Sequence, residues 1–394
     1  MLKDKIRELS GKIHGEVVHL RRFLHSNPEL SFQEFQTSAY IKAYLDELGV
    51  EWQPMADTGV VALIKGALPS EEVIALRADM DALPIIEAND VPYKSKNEGV
   101  MHACGHDVHT SSLLGTAKIL QELREEFGGT VKLIFQPAEE KLPGGASVMI
   151  KEGVLEHPKP ASVIGQHVMP LIEVGKIGIR AGKYMASTDE LYLHVKGKGG
   201  HGAQPHQNID PVVIAAHIIV ALQQVVSRIA DPRVPTVLSF GKVIANGATN
   251  IIPEEVYIEG TFRTLNEKWR AEAHRRMRKI AEGMAESMGG SCDFKIVSGY
   301  PFLVNEEKLT AEVRRFAEDY MGRENVLDLD IWMAAEDFAY YSQVADACFY
   351  RLGVRNESMG ITSTVHTPTF NIDENALALS TGLMAYIALK RLGN

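Results

Sequence analysis

MHACGHDVHTSSLLGTAKILQELREEFGGTVKLIFQPAEE, residues 101–140, contains the alternation that decides the fold. Its first ten residues gather His102, Cys104, His106, Asp107 and His109 around Gly105. Residues 110–127 then place Leu113, Leu114, Ala117, Leu120 and Leu123 at the three- and four-residue steps of one helix face. Residues 130–135 read as a short apolar strand that runs directly into Glu139 and Glu140. A polar cluster entering a helix, followed by a strand with acids at its carboxyl end, describes the edge of an open α/β sheet, where ligands bind.

Thiolate and neutral imidazole both bind borderline-soft divalent metals, and Cys104 and His106 stand two apart around a glycine. By themselves they also fit a buried structural cysteine beside loop histidines, or a Cys/His nucleophile pair. The helix N-terminus behind Cys104 favours a thiolate. Two adjacent glutamates are commonly solvated charge. After a buried-type strand and a proline they become a pair with divided labour, one binding metal while the other serves as general base.

Upstream, residues 2–24 carry Ile6, Leu9, Ile13, Val17, Leu20 and Leu24 on one helical face, ended by Asn27-Pro28. A second helix is expected at 32–48, closed by Gly49, with strands at 60–65 and 73–77. The latter runs into RADMDALP, where Asp79 and Asp81 would point the same way on extended backbone. They are expected to orient ligand histidines by hydrogen bonds. Downstream, Pro143-Gly144-Gly145 opens a helix, and a strand at 161–166 delivers His167 at its end.

The pattern changes after Tyr184. Strand-like 190–196, 237–244 and 256–263 alternate with long helical stretches at 210–229 and 267–288, which suggests a four-stranded sheet with two helices inserted at 183–297. It contains GKGGHGAQPH with His201, ATNIIP with Asn250 and GTFRT with Arg263. An imidazole, an amide and a guanidinium together suit an anionic substrate, because Arg grips a carboxylate with two hydrogen bonds. The α/β pattern resumes with helices at 306–321 and 375–391, a strand at 348–352, and His366 in a loop before Pro368.

With 394 residues the chain exceeds the about 250–300 that a single core usually serves, so two domains are expected. A net charge of -10 argues against nucleic acid as a partner, since phosphate binding needs clustered Lys and Arg. The first residues lack the apolar core of a secretion signal. The longest apolar run, 212–222, is interrupted by His217 and too short for a bilayer of ~30 Å, so no membrane is expected. Three cysteines, Cys104, Cys292 and Cys348, form no disulfide framework, which favours a reducing cytoplasm.

The motifs LHSNPELSFQE, RADMDALP, MHACGHDVHT, QPAEE followed by GGA, GGHGAQPH, TNIIP, AEDF and VHTPTF occur in one order. Over nearly the whole chain this set resembles the aminoacylase and glutamate-carboxypeptidase family of dinuclear metallopeptidases. Within it the match is to the N-acyl-amino-acid amidohydrolases, which include hippurate-hydrolase-like and auxin-conjugate-hydrolase-like enzymes. The resemblance implies a zinc-peptidase-like α/β catalytic domain, a mixed central sheet flanked by helices, from residues 1–182 and 298–394. The insert at 183–297 would be a dimerisation or lid domain.

It further implies that Cys104, His106, Glu140, His167 and His366 bind two divalent metal ions, the Cys104 thiolate bridging where other branches use aspartate. Asp79, Asp81 and Asp107 would support these ligands. Glu139 would be the general acid/base, His201 would reach the oxyanion from the partner subunit of a homodimer, and Asn250 with Arg263 would hold the substrate carboxylate. Sulfur and imidazole favour zinc, with manganese, cobalt and nickel open. Lys141-Leu142-Pro143 and Gln166 depart from many relatives in ways that could alter pocket shape. The expected reaction is hydrolysis of the amide of an N-acyl amino acid. Peptide cleavage as a carboxypeptidase or dipeptidase is the alternative, and a catalytically silent metal-binding dimer module a lesser one.

Overall fold

Helix His106–Glu122 packs between the N-terminal helix Leu2–Ser26, the C-terminal helix Ala376–Arg391 and the strand Leu68–Asp79, in a computed structural model that describes residues 2–393. Leu113, Leu114 and Ala117 are fully buried there, as the apolar spacing requires. Removing a leucine side chain from water is worth about 1.5–3 kcal/mol. The close approach depends on Gly115, where a Cβ would stand 2.7 Å from Val17 Cγ2 and 2.9 Å from Thr381 Cγ2.

The chain divides into two compact units. The larger comprises the residues up to Tyr184, Val304–Asp330, and Asp337 onward. Its eight-stranded mixed sheet runs in the order Glu51–Met55, Gly59–Lys65, Gly128–Gln136, Leu68–Asp79, Ser162–Glu173, Ala347–Arg355, Ile177–Ile179 and Val326–Asp328. The middle pairings are parallel, with Asp79 opposite Gln136, Arg77 opposite Gly165 and His167 opposite Arg351. Parallel pairing puts the carboxyl ends of neighbouring strands along one edge, so Asp79 and the Pro137–Glu140 turn emerge together. This mixed α/β architecture is the one expected. His167 differs from expectation: it lies within Ser162–Glu173 instead of at its end, because parallel pairing with Ala347–Arg355 carries the strand onward.

The smaller unit comprises Met185–Leu303 and Ile331–Glu336. Its antiparallel sheet has the order Thr236–Ile244, Glu255–Thr264, Asp189–Lys196, Ser291–Ser298. Inward residues alternate along Asp189–Lys196, and Leu191, Leu193 and Val195 meet Ile214, Ile218 and Met277 of two helices, Pro211–Gln224 and Glu267–Ser287. Asp210 caps the first helix by accepting the Val212 and Val213 amides, and Asn266 caps the second at Trp269. Residues 298–303 pack with this unit because the Thr188 amide donates to Tyr300 O and the Gly299 amide to Thr188 O. Residues 331–336 join it through the Ala186 amide, which donates to Trp332 O and Ala334 O.

The apolar run at 212–222 lies within the helix expected at 210–229, whose α-helical part is Pro211–Gln224. A π-helical turn carries it to Ile229, and Pro211–Ile229 is long and apolar enough to cross a membrane. Its Ile214, Ile218, Leu222 and Val225 nevertheless line the smaller unit's core, while Val213 and Val220 are exposed.

Candidate metal centre

Gly105 takes φ 81°, and a Cβ there would meet Val168 Cγ2 at 2.6 Å, so only glycine lets the chain turn into helix His106–Glu122 against the His167 strand. Cys104 sits just before that turn and His106 just after it. Glu139 and Glu140 follow strand Gly128–Gln136, and His366 arrives on a loop whose amide donates to Ala103 O at 2.8 Å. His366 is itself left-handed, at φ 61°.

Of the groups of potential ligand atoms among the described residues, two share the cysteine. Cys104, His106 and His167 form one, and Cys104, Glu140 and His366 the other, with ligand atoms of each triad within 4.8 Å of one another. His106, Glu139 and Glu140 form a further group by the same measure. The five positions expected to bind metal and the expected base thus occupy one edge of the larger unit.

Hydrogen bonds fix which nitrogen each imidazole offers. His167 Nδ1 donates to Val168 O at 2.7 Å, leaving Nε2 at 3.3 Å from Cys104 Sγ. His106 Nδ1 meets Asp81 Oδ1 at 3.1 Å, and its buried Nε2 has no hydrogen-bond partner among the described residues. A buried orphan nitrogen is costly unless a ligand takes it. Asp81 is held in turn by the Ser31 hydroxyl at 2.6 Å and the Glu140 amide at 3.0 Å. This is the orientation by carboxylate that metal-binding histidines use.

The charges tell the same story. Burial, with Arg351 and His109 nearby, holds the His167 pKa well below its usual value, so its ring is neutral and carries a lone pair. Burial opposes protonation of His106, but Asp79, Asp81 and Glu140 outweigh it and raise the group to about 10. Burial and the carboxylates of Glu140, Glu139 and Asp79 push the Cys104 thiol well up. Without a cation these carboxylates oppose the thiolate that the helix N-terminus favours. They also oppose a cysteine nucleophile, since the thiolate is the reactive form. A divalent cation would reverse both effects, because it supplies the positive charge that the carboxylates otherwise draw from protons. The donor set therefore fits a pair of divalent ions.

Glu139 is buried, and its Oε1 accepts the Asp337 amide at 3.3 Å. Glu140 Oε1 lies 3.2 Å from His366 Nε2. Asp79 Oδ2 lies 3.8 Å from His106 Nε2, while Oδ1 takes His109 Nδ1 at 2.5 Å. His109 Nε2 accepts the Val168 amide at 2.9 Å, so both ring nitrogens are engaged and it supports the Val168 peptide that orients His167. Asp107 departs from its expected role. It bonds Arg21 and His25 at 2.8 Å each, because neighbours on a helix point about 100° apart and His106 takes the direction facing Cys104 and His167.

On the smaller unit, His201 is exposed on the short strand Gly200–His201, and its Nδ1 accepts the Ala203 amide at 3.1 Å. Asn250 is exposed, its carbonyl taking the Gly202 amide at 2.9 Å. Arg263 is half-buried and donates to Met333 O at 3.2 Å.

Sequence reading assigned no task to Asp337, Arg77 or Ser31. Arg77 is fully buried and donates to Asp79 at 2.6 Å, Asp337 at 2.7 Å and Gln136 at 2.9 Å, tying the neighbour of Glu139 to the strand carrying Asp79. A charged residue between Leu76 and Ala78 on a buried strand was the available signal.

A cysteine shared between two ligand triads beside a buried glutamate, on the carboxyl edge of a mixed sheet, defines a metallohydrolase-type centre. Residues 75–390 match the Peptidase family M20/M25/M40, and the chain belongs to that family. It is 44% identical over 309 residues to an N-acyl-L-amino acid amidohydrolase of Geobacillus stearothermophilus, covering 78% of this chain and 83% of the relative. It is 40% identical over 381 residues to an N-acetyl-L-cysteine deacetylase of Bacillus subtilis strain 168, covering 96% and 89%. A crystal structure of a dinuclear metal-binding peptidase of the M20 family from Bacillus subtilis superposes with TM-score 0.83 at 35% identity, covering 98% of this chain and 99% of that one.

Proposed function

We propose that this chain is a metal-dependent amidohydrolase that cleaves the amide of N-acyl amino acids, releasing a carboxylic acid and a free amino acid. The observation that carries the reading is Cys104 shared between two ligand triads, with Glu139 in the adjoining group. The names of relatives at 44% and 40% identity support the substrate class.

Cys104, His106 and His167 would hold one ion, and Cys104, Glu140 and His366 the other, with zinc favoured by the sulfur and imidazole donors and manganese, cobalt or nickel able to substitute. When bound, such a pair lowers the pKa of water and polarises a carbonyl. Glu139 accepts the proton of the water that attacks the carbonyl carbon. It returns that proton to the nitrogen as the C–N bond breaks, so the amino acid leaves as a neutral amine. The Asp337 amide fixes Glu139 Oε1 during this exchange. His201 suits an oxyanion, and Arg263 and Asn250 suit a substrate carboxylate. Val213 and Val220, exposed on helix Pro211–Gln224, support a homodimer formed through the smaller unit.

The test is a substrate comparison on protein reconstituted in turn with zinc, manganese, cobalt and nickel. N-acetyl and N-benzoyl amino acids are expected to be cleaved faster than dipeptides. Cleavage confined to dipeptides would favour a peptidase, and fully metallated protein inert towards both would indicate a binding module.

A further inference from the structure

The motif LHSNPELSFQE contains a carboxylate with no part in the chemistry above. Glu34 is wholly buried in the larger unit. Its Oε1 accepts the Ala138 amide at 2.9 Å and the Phe32 amide at 3.0 Å, and its Oε2 accepts the Thr58 hydroxyl at 2.7 Å. All three partners sit at left-handed turns built without glycine. Phe32 has φ 63° and Ala138 φ 49°, and Thr58 follows Ala56 at 51° and Asp57 at 61°. Side chains with a Cβ rarely adopt that conformation, so each turn needs outside bonds to persist.

Ala138 has the largest consequence, because Glu139 and Glu140 come next. Several bonds hold this turn, among them one from Gln136 Nε2 to Pro137 O at 3.3 Å. The Glu140 amide donates to Asp81 Oδ2 at 3.0 Å, the Asp337 amide to Glu139 Oε1 at 3.3 Å, and the Gly145 amide to Ala138 O at 2.9 Å. Glu34 supplies the one at the amide of the left-handed residue itself. Without it Ala138 would relax towards extended backbone, and both following carboxylates would turn away from Cys104 and His106.

We propose that Glu34 is the positioning residue of the Glu139–Glu140 turn, its buried carboxylate oxygen holding Ala138 in the left-handed conformation that aims both glutamates. This rests on the roles proposed above for Glu139 and Glu140. What the turn requires is the acceptor and not the charge. Burial and nearby Asp81 push the Glu34 pKa up to about 7, and Oε1 can accept amides in either protonation state.

The experiment uses full-length protein and three variants: Glu34→Ala, Glu34→Gln, and Glu34→Ala combined with Ala138→Gly. Turnover of an N-acyl amino acid gives kcat and KM. Separately, Co2+ titration of metal-free protein, followed by the sulfur-to-cobalt absorption band, gives metal affinity without reference to activity. Glu34→Gln keeps an acceptor and should stay within about threefold of the unmodified enzyme. Glu34→Ala should lose about 100-fold in kcat with KM changed less than about threefold, since a misplaced group costs rate more than binding. Its Co2+ affinity should fall about tenfold, as when support of a ligand is removed. Glycine takes the left-handed turn without a Cβ penalty, so adding Ala138→Gly should recover roughly 5- to 30-fold of the lost kcat.

A role confined to packing predicts the same loss with and without Ala138→Gly, and that result overturns the proposal. So does kcat of Glu34→Ala within about threefold of the unmodified enzyme. If Glu34→Ala does not fold, Glu34→Gln decides, with normal kcat supporting the acceptor role and a loss of about 100-fold in folded protein overturning it. An unmodified chain that binds two Co2+ yet cleaves no acyl amino acid would overturn the hydrolase reading. The Co2+ affinities of Glu34→Ala and the double variant would then still decide whether Glu34 positions the turn.

Discussion

The Cys104 sulfur stands 3.3 Å from His167 Nε2, joining the turn before a buried helix to the middle of a strand. The same sulfur belongs with Glu140 and His366 in a second triad, so one side chain links both halves of the centre. Cys104→Ala should therefore weaken both metal positions, whereas His366→Ala should leave the first intact. Metal analysis after dialysis is expected to give close to none for the former and one per chain for the latter. Two ions retained by Cys104→Ala would show that the sulfur is not shared.

Glu139→Gln preserves size and the acceptor that meets the Asp337 amide, but removes the basic carboxylate. Turnover should fall by at least ~10²–10⁴-fold, the range for loss of a positioned general base, with KM and metal content unchanged. Activity near that of the unmodified enzyme would take the proton-carrying role from this residue.

How much of this was legible in the sequence depended on whether a residue's signal was apolar spacing or a distant partner. The helix expected at residues 2–24 spans Leu2–Ser26, and the strand expected at 130–135 spans Gly128–Gln136, because their buried faces are written in Leu, Ile and Val. The helix after Cys104 begins at His106, not at Thr110 as apolar spacing suggested. Its first turn is buried through polar partners, among them Asp79, Asp81 and Arg21. Strand Glu51–Met55 carries Gln53 and Pro54 and is largely exposed on the sheet's edge, so it had no apolar signal to read. The Arg21–Asp107 pair was equally hidden: it joins residues 86 apart, and nothing local to either names the other.

Glu34 also sets a pH dependence of stability. Its folded pKa of about 7 exceeds its ordinary 4.5, raised by burial and by Asp81, so between these values the folded protein holds a proton that the unfolded chain releases. The stabilisation is complete below about pH 4.5 and is lost as pH rises through about 7. Glu34→Gln cannot titrate, so relative to the unmodified protein it should become more stable at pH 8 than it is at pH 5. Urea unfolding of both proteins without metal, at each pH, measures the difference. An equal difference at the two pH values would place the folded pKa of Glu34 near its ordinary value.

Arg77 and Asp337 make the strongest stability prediction, because the pair is fully buried and lies behind Glu139. Arg77 donates to Asp79 at 2.6 Å and Asp337 at 2.7 Å, while Asp337 also accepts the Ala146 amide at 2.9 Å and the Gln136 side chain at 2.8 Å. Arg77→Met fills much of the same volume but leaves two carboxylates in a dry site, a change that typically costs about 3–5 kcal/mol. Adding Asp337→Asn removes one of those charges and keeps an acceptor for the Ala146 amide. The double variant should then recover part of the loss, whereas two independent sites would add their costs. Denaturant unfolding of the two single variants and the double variant decides between these outcomes. Because the Asp337 amide holds Glu139 Oε1, the kcat of Arg77→Met should fall along with its stability even where the protein remains folded.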